Sequence, residues 1–230
     1  MTIKRSLTLL LIASFAAVLF LSLPLQHVAA QDKAKTMGKP GDILTPLAIG
    51  NAWVYENDDD DLIATDRIEG LVLFDGHPWY LLRTYEHEAG QPANTAELIA
   101  NDFWLTHKDG YECDAFAEQS DFEDEDAELF GLRLSPPAQY YRYPAALGDK
   151  YKPSEETPSM RMEVIAINEK VKTKAGEFNC IVYRETDTDV PGYSFTSWVC
   201  PGVGIVKNKN VDEDGTFTSE LTSFSLVDDE

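Results

Sequence analysis

Three cysteines, Cys113, Cys180 and Cys200, are the residues with the most definite chemistry in this chain. In an oxidising compartment two of them should pair and one should remain a thiol. A hairpin folded about Val190 places Cys180 directly opposite Cys200, where the Cα atoms of facing strands lie about 4.5–5.5 Å apart and a disulfide can span the gap. This predicts a Cys180–Cys200 disulfide with Cys113 left over. The alternative is a register displaced by one residue, with Cys113 paired instead.

Dense runs of aspartate are the second chemical feature. Carboxylate oxygens are the ligands that Ca²⁺ prefers, so the candidate calcium ligands are Asp58, Asp59, Asp60, Asp61, Asp124 and Asp126. The alternative is that these residues form solvated loops. Asp212–Gly215 is similar to the start of a calcium loop, but its glycine comes too early and no glutamate closes it, so a hairpin turn is predicted. No metal site is firmly predicted, and no cofactor is expected.

Four tryptophans, Trp53, Trp79, Trp104 and Trp198, are candidate pocket residues. Aromatic side chains on strands usually belong to the core. A curled sheet with one open face, however, forms a natural pocket for an apolar or carbohydrate ligand. Both interpretations remain open at this point.

Catalytic patterns are missing from the sequence. It contains neither a Gly-x-Ser-x-Gly elbow nor a His-Glu-x-x-His motif. Glu86, His87 and Glu88 are adjacent, but neighbours on a strand point to opposite faces and would not converge. No catalytic residue is therefore predicted, and a hydrolase is less favoured than a non-catalytic module.

The first thirty residues have the layout of a signal peptide. Lys4 and Arg5 precede an apolar stretch from Leu7 to about Leu25, and Val28-Ala29-Ala30 offers a small-residue cleavage site. This predicts a periplasmic or secreted protein. The apolar stretch approaches the roughly 20 residues that span a bilayer, so an uncut anchor is the alternative. No cysteine lies near residue 30 to carry a lipid.

Charge and composition restrict the partners. The net charge is −21, which disfavours nucleic acid and anionic lipid. Aromatic residues make up 11% of the chain, so the acidic composition does not indicate disorder. The length suits one sizeable folded domain after the leader.

Turn residues recur between short apolar or alternating runs along the rest of the chain, as in antiparallel sheet. Predicted hairpin turns are Asp75-Gly76, Lys108–Gly110, Asp189–Gly192 and Glu213–Gly215. Ser120 with Glu123 could open a short helix. The predicted organisation is a signal peptide (1–30), a flexible tether (31–43) and a single β domain (44–228). Its fold class is mainly β: a curled antiparallel sheet or half-open barrel with at most short helices.

Two finer patterns concern the sheet. Phe217 and Leu221 share one alternation phase, whereas Phe224 and Leu226 share the other, which predicts a bulge or a change of buried face in the last strand. The segments 46–53 and 144–151 also match in register: Pro, Ala, an aliphatic, Gly, Asn or Asp, and an aromatic. Chance or convergent turn chemistry explains this echo about as well as duplication.

Both ends of the predicted domain resemble exported bacterial domains of unknown function. The resemblance rests on Pro46-Leu47-x-x-Gly50-Asn51-x-Trp53-x-Tyr55, on Ala175-Gly176-x-Phe178-x-Cys180, and on Trp198-x-Cys200-Pro201-Gly202-Val203-Gly204-x-Val206-Lys207. It implies one β-rich exported domain, related in shape to the half-open barrels of lipoprotein carriers. It brings no activity and no catalytic residues. Members often carry a lipid anchor, for which this chain lacks the cysteine.

The expected function is therefore a non-catalytic ligand-binding or scaffold module of the cell envelope. The alternative is a calcium-dependent module that binds a surface polymer.

Overall fold

The computed structural model describes residues 36–38, 43–58, 61–74, 77–107, 111–116, 138–155 and 157–227. The leader (1–30), most of the tether and the helix predicted near Ser120 lie outside these residues. Within them, the only helix is one 3₁₀ turn, Ala93–Thr95. No helix of the described residues has the length and apolar character that crossing a membrane requires.

Strands dominate the described residues, all within the unit Lys33–Glu230. In chain order they are β1 (Thr36–Met37), β2 (Ala52–Asn57), β3 (Leu62–Phe74), β4 (His77–Glu88), β5 (Glu97–His107), β6 (Tyr111–Phe116), β7 (Ala138–Arg142), β8 (Ala145–Ala146), β9 (Lys150–Tyr151), β10 (Met160–Thr173), β11 (Gly176–Asp187), β12 (Ser194–Cys200), β13 (Gly204–Val211) and β14 (Thr216–Ser225).

Twelve of these strands form one sheet in the order β7-β6-β5-β4-β3-β2-β14-β13-β12-β11-β10-β9, with every pair antiparallel. The remaining two, β1 and β8, pair with each other. The prediction of a mainly antiparallel β fold is confirmed, and the sheet is not closed, since β7 and β9 are its edges.

The hairpin register predicted from Val190 is correct. Val182 pairs with Trp198, and Arg184 pairs with Thr196. The bulge expected in β14 is also present, since the pairing of β14 with β2 shifts between Leu221 and Ser223. These agreements follow from the strict two-residue alternation of a strand, which fixes the facing residues once one turn is located.

The strand β3 contains a glycine in its interior. It runs without interruption from Leu62 to Phe74. Its pairing with β4 shifts between Ile68 and Gly70. A glycine inside a strand often marks such a bulge, where the chain bends while the ladder continues.

The sheet curls so that distant strands meet across its concave face. The hydroxyl of Tyr141, on edge strand β7, donates to Ser197 Oγ on β12 at 3.1 Å. The ring centroids of Tyr141 and Tyr183 lie 5.0 Å apart. These contacts belong to a buried cluster comprising Leu44, Tyr141, Tyr143, Ala145, Tyr151, Met162, Val164, Ile167, Ile181, Tyr183 and Val199.

The two edges of the sheet lie beside each other. The Gln139 N–H donates to the Pro153 carbonyl at 2.7 Å. The Tyr151 hydroxyl donates to the Tyr140 carbonyl at 2.5 Å, and the Arg142 guanidinium lies 4.1 Å from the Tyr151 ring centroid. Because these contacts occupy both edges, they hinder strand addition from another chain.

The segment before β2 lies against the sheet. Thr36 and Met37, inside the predicted tether, pair with Ala146 and Ala145 of β8. Leu44, where the domain was predicted to begin, is fully buried. The Gly202 N–H, at the turn after β12, donates to the Leu44 carbonyl at 2.9 Å. This segment therefore covers part of the core.

The sequence echo corresponds to two equivalent turns. In the first turn, the Gly50 N–H donates to the Ile68 carbonyl at 2.8 Å, and the Ile68 N–H donates to the Asn51 carbonyl at 2.9 Å. The Asn51 N–H closes the turn onto the Ala48 carbonyl at 3.0 Å. This arrangement fastens the start of β2 to the middle of β3.

The second turn repeats these bonds. The Gly148 N–H donates to the Val164 carbonyl at 2.8 Å, and the Val164 N–H donates to the Asp149 carbonyl at 2.9 Å. The Asp149 N–H reaches the Ala146 carbonyl at 3.1 Å. Each set of donors and acceptors occupies matching positions of the echo.

The equivalence extends beyond the turns. The β3–β4 register shifts directly after Ile68, and the β10–β11 register shifts directly after the equivalent Val164. Six sheet strands, β2–β7, precede the second turn, and six, β9–β14, follow it. Turn chemistry alone does not require a matching bulge on the neighbouring strand. The structure therefore favours duplication of a six-strand unit.

The β10–β11 hairpin bends away from the sheet. Its register shifts between Ile167 and Glu169, and Asn168 has a left-handed φ of 56°. The far half, residues 169–179, is called the hairpin arm here. The Ala175 N–H of the arm donates to the Leu221 carbonyl of β14 at 3.4 Å. Lys174 forms an ion pair with Glu56 of β2. The arm therefore lies across the central strands.

Candidate functional site

A small cavity opens on the concave face at the start of β2. Its volume is about 40 Å³, and about 10–15 Å³ of such volume is needed to hold one water molecule. The lining residues are Thr45, Leu47, Trp53, Tyr55, Asp66, Leu82 and Ile205. This cavity is called the aromatic cavity here.

The two aromatic residues of this cavity are fixed by main-chain acceptors. Trp53 Nε1 donates to the Val203 carbonyl at 2.7 Å, and the Tyr55 hydroxyl donates to the Ile205 carbonyl at 3.1 Å. Burial, with a further contribution from Asp66, raises the pKa of Tyr55 well above its usual value. The phenol therefore stays neutral and acts as a donor. Only the ring faces remain for contact with a ligand.

Asp66 gives the aromatic cavity its only charged group among the described lining residues. The Thr84 hydroxyl, on the neighbouring strand, donates to Asp66 Oδ1 at 2.7 Å. This bond fixes the orientation of the carboxylate beside Tyr55.

The other predicted pocket tryptophans do not line this cavity. Trp79 is 3% exposed in β4, where it belongs to the core. Trp198 Nε1 donates to Glu169 Oε1 of the hairpin arm at 3.0 Å, which places it on the other face of the sheet. The side chain of Trp104 is outside those described. The structure therefore brings Trp53 alone of the described tryptophans into the cavity.

Cys180 and Cys200 lie under the hairpin arm as buried free thiols. The β11–β12 ladder ends at Ile181 and Val199, one residue from the position where the cysteines face each other. The neighbouring Cys200 and burial both raise the pKa of Cys180, whereas the neighbouring Cys180 lowers the pKa of Cys200 although burial opposes it. The predicted register is therefore met, whereas the disulfide itself stays a prediction. The side chain of Cys113 lies outside those described.

The predicted calcium ligands are only partly described. Asp58 Oδ1 accepts a hydrogen bond from the Thr218 N–H at 2.7 Å, which ties it to β14. The Asp61 main chain accepts the Ala89 N–H at 2.5 Å, beyond the end of β4. Asp59, Asp60, Asp124 and Asp126 lie outside the described residues. Within the described part of the chain, no three His, Cys, Asp or Glu side chains are grouped to hold a metal. The calcium site stays a prediction.

Sequence reasoning missed a charged groove on the outer face. This groove of about 330 Å³ crosses β2, β14 and β13 and is called the charged groove here. Lys207 Nζ lies 2.6 Å from Glu220 Oε1, and Lys174 pairs with Glu56. The signal was present as opposite charges on neighbouring strands, but it becomes readable only when the non-local pairing of β14 with β2 is known.

Comparisons with known proteins found similar crystal structures but no matching sequence family. No protein-family model matches the sequence, and none of the curated proteins matches it. A crystal structure from Bacteroides fragilis, described as an exported protein with a YmcC-like fold, aligns with TM-score 0.46 and 13% identity over 80% of this chain and 100% of that one. A Parabacteroides distasonis structure, described as a lipoprotein, aligns with TM-score 0.44 and 12% identity over 80% and 99%. A likeness of this degree assigns neither fold nor function.

Proposed function

We propose that this protein serves outside the cytoplasm as a non-catalytic scaffold module of the cell envelope. The observation that carries the proposal is the small volume of the aromatic cavity, about 40 Å³. Pockets for drug-sized ligands usually measure about 300–1,000 Å³ and are lined mostly by apolar side chains; the charged groove reaches about 330 Å³, but polar and charged side chains form most of its lining. The polar atoms of Trp53 and Tyr55 are already bonded to the main chain. These groups fasten parts of the fold together and are not presented to a ligand.

The charged groove is the surface that such a scaffold would present. The ion pair Lys207–Glu220 joins β13 to β14, and the ion pair Lys174–Glu56 joins the turn of the hairpin arm to β2. All four side chains are partly exposed, so each pair contributes only about 0–1 kcal/mol to stability. Weakly stabilising, exposed pairs can exchange partners at little cost. The groove therefore suits contact with a macromolecule that carries both charge signs.

Native mass spectrometry of the protein purified from its own host tests this proposal. A scaffold with a packed core should show one unliganded mass and no enhancement of an apolar fluorescent dye. A co-purified lipid or sugar whose signal disappears in a Leu47→Trp variant would contradict the proposal. Leu147→Trp, at an exposed turn position, is the matched control because its side chain is 45% exposed in wild type.

Binding of an apolar or carbohydrate ligand in the aromatic cavity is the second candidate. Its supporting observation is the short covering segment that contains Thr45 and Leu47, two of the cavity's lining residues. The Gly202 N–H contacts the carbonyls of Ile43 and Leu44 at 3.0 and 2.9 Å. If this segment lifts, Trp53, Tyr55 and Leu82 become an open apolar surface. Protection of the amides of residues 44–47 from hydrogen exchange on ligand addition would support this candidate.

A further inference from the structure

Cys180 and Cys200 lie at the end of the β11–β12 ladder, at positions that face each other across adjacent strands. Cys180 and Cys200 follow the last paired residues of the β11–β12 ladder, Ile181 and Val199. The two thiols influence each other's pKa, and the Cys200 thiol donates to the Pro201 carbonyl at 3.8 Å. Facing positions on adjacent antiparallel strands meet the Cα separation that a disulfide needs, about 4.4–6.8 Å.

The two thiols are not equally accessible. Cys200 is 8% exposed, whereas Cys180 is completely buried. The neighbouring Cys180 thiol, and to a smaller extent the Asn179 main chain, lower the pKa of Cys200, although burial opposes them. Because the thiolate is the nucleophile in disulfide exchange, Cys200 is the thiol that reacts first with an external disulfide.

The hairpin arm covers this pair. Val171, Ala175 and Phe178 of the arm pack against the cluster that contains Cys180 and Cys200. The arm is held down by the Lys174–Glu56 ion pair and the Ala175–Leu221 main-chain bond. Reagents therefore reach Cys200 when the arm opens locally, and contacts that hold the arm control that opening.

We propose that Cys180 and Cys200 form an oxidation site beneath the hairpin arm, in which Cys200 attacks an external disulfide and Cys180 resolves the mixed disulfide. The oxidant is a disulfide-bonded molecule, either a small disulfide or a thiol–disulfide exchange protein. This site goes beyond the scaffold function, because it assigns a redox reaction and an order of attack to named atoms.

The reaction balances as two thiol–disulfide exchanges. The Cys200 thiolate attacks one sulfur of the oxidant, the oxidant's S–S bond breaks, and its other sulfur leaves as a thiolate. Cys180 then loses its proton and attacks Cys200 Sγ, which releases the second sulfur of the oxidant as a thiolate. Both thiolates take up the protons that the cysteines lose. The protein gains one disulfide, and the oxidant is reduced to two thiols.

Glutathione disulfide and the full chain provide the test. Wild type and the Cys113→Ser control should each end with a Cys180–Cys200 linked peptide in a non-reduced digest. In the Cys113→Ser background, Cys180→Ser should accumulate a glutathione adduct on Cys200, whereas Cys200→Ser should form its adduct at least ten-fold more slowly. An adduct that forms equally fast in both variants would overturn the order of attack, and two free thiols in oxidised wild type would overturn the site.

Arm variants test the covering role separately. Phe178→Ala removes an arm side chain that packs against the cluster containing both cysteines, so adduct formation on Cys200 should accelerate several-fold in the Cys180→Ser background. Lys172→Ala is the matched control, because Lys172 pairs with Glu177 inside the arm itself. Equal rates in both arm variants, with unchanged circular dichroism, would contradict the covering role. A bound ligand in native mass spectrometry would contradict the scaffold function but leave this site untouched.

Discussion

Asn51 Oδ1 accepts the main-chain N–H of Val227 at 2.7 Å, across 176 positions of the chain. The other end of the same amide, Nδ2, donates to the Pro46 carbonyl at 2.7 Å. Asn51 is completely buried. One side chain thus ties the turn before β2 to the segment that follows β14.

Asn51→Ala should lower the free energy of unfolding by about 2–4 kcal/mol, because it removes two hydrogen bonds and leaves buried main-chain groups without partners. Chemical denaturation measures this loss. Asp149→Ala is the control, since Asp149 occupies the equivalent turn but is exposed. An equal loss in both variants would show that the amide contacts are not what stabilises this turn.

Alanine substitutions at Gly50 and Gly148 should separate backbone strain from steric contact. Both glycines have positive φ, 100° and 86°, where an L-residue costs about 1–2 kcal/mol. A Cβ at Gly50 would also lie 3.1 Å from Val227 Cγ2, whereas a Cβ at Gly148 meets nothing within 4 Å. Gly50→Ala should therefore be the more destabilising of the two in thermal unfolding. The reverse order would contradict the contact with Val227.

Glu185 should lower the stability of the fold as pH rises, whereas an ion-paired carboxylate lowers it as pH falls. It is 6% exposed, and burial raises its pKa, although the Tyr193 hydroxyl donates to Oε1 at 3.0 Å and partly offsets this. A raised folded pKa means that the folded state holds the proton more tightly than the unfolded chain. This contribution is therefore greatest below the unfolded pKa, about 4.3, and is lost as pH rises through the folded pKa.

Glu185→Gln should consequently raise the melting temperature at about pH 8 and leave it nearly unchanged at about pH 4. Glutamine keeps an oxygen that can accept from Tyr193. Glu177→Gln is the control, because the Glu177 side chain is 78% exposed. A variant that is less stable than wild type at high pH would show that the ionised carboxylate is stabilising.

Trp53→Phe should cost about 1–3 kcal/mol, because it leaves the Val203 carbonyl without its donor in a buried position. Trp198→Phe also removes an indole donor, but its acceptor is the exposed carboxylate of Glu169, which water can solvate. A smaller loss is expected there. Denaturant titrations of the two variants provide the comparison, and equal losses would argue against a structural role for the Trp53 bond.

Local patterns in the sequence were sufficient for the hairpins. The turn near Val190 fixed the facing of Val182 with Trp198, and the phase change after Leu221 located a bulge. These features depend on residues that are close in sequence, where turn chemistry and alternation determine the pairing.

Contacts between distant segments were not predictable in this way. The bend at Asn168 and the position of the hairpin arm depend on where β14 lies, which no local pattern encodes. The role of Asn51 was hidden within a short motif, because its partner Val227 lies at the other end of the domain. Trp53 was a pocket candidate from the sequence and Tyr55 was not, and the hydrogen bonds of both to Val203 and Ile205 required the three-dimensional arrangement.

The match between segments 46–53 and 144–151 shows where local sequence patterns stop being informative. Its eight residues could not separate duplication from chance. The matching main-chain bonds of Gly50 and Gly148, together with the bulges after Ile68 and Val164, favour duplication. Main-chain geometry preserved a likeness that side chains had largely lost.

β14 lies between β2 and β13, near the middle of the sheet. During synthesis, β2 can pair with β3, but its other edge must stay open until residues 216–225 arrive. Such an open edge is a template for misassembly. The protein is expected to depend on assistance while it emerges, and loss of its last strand would interrupt the sheet at its middle and expose the edges of both β2 and β13.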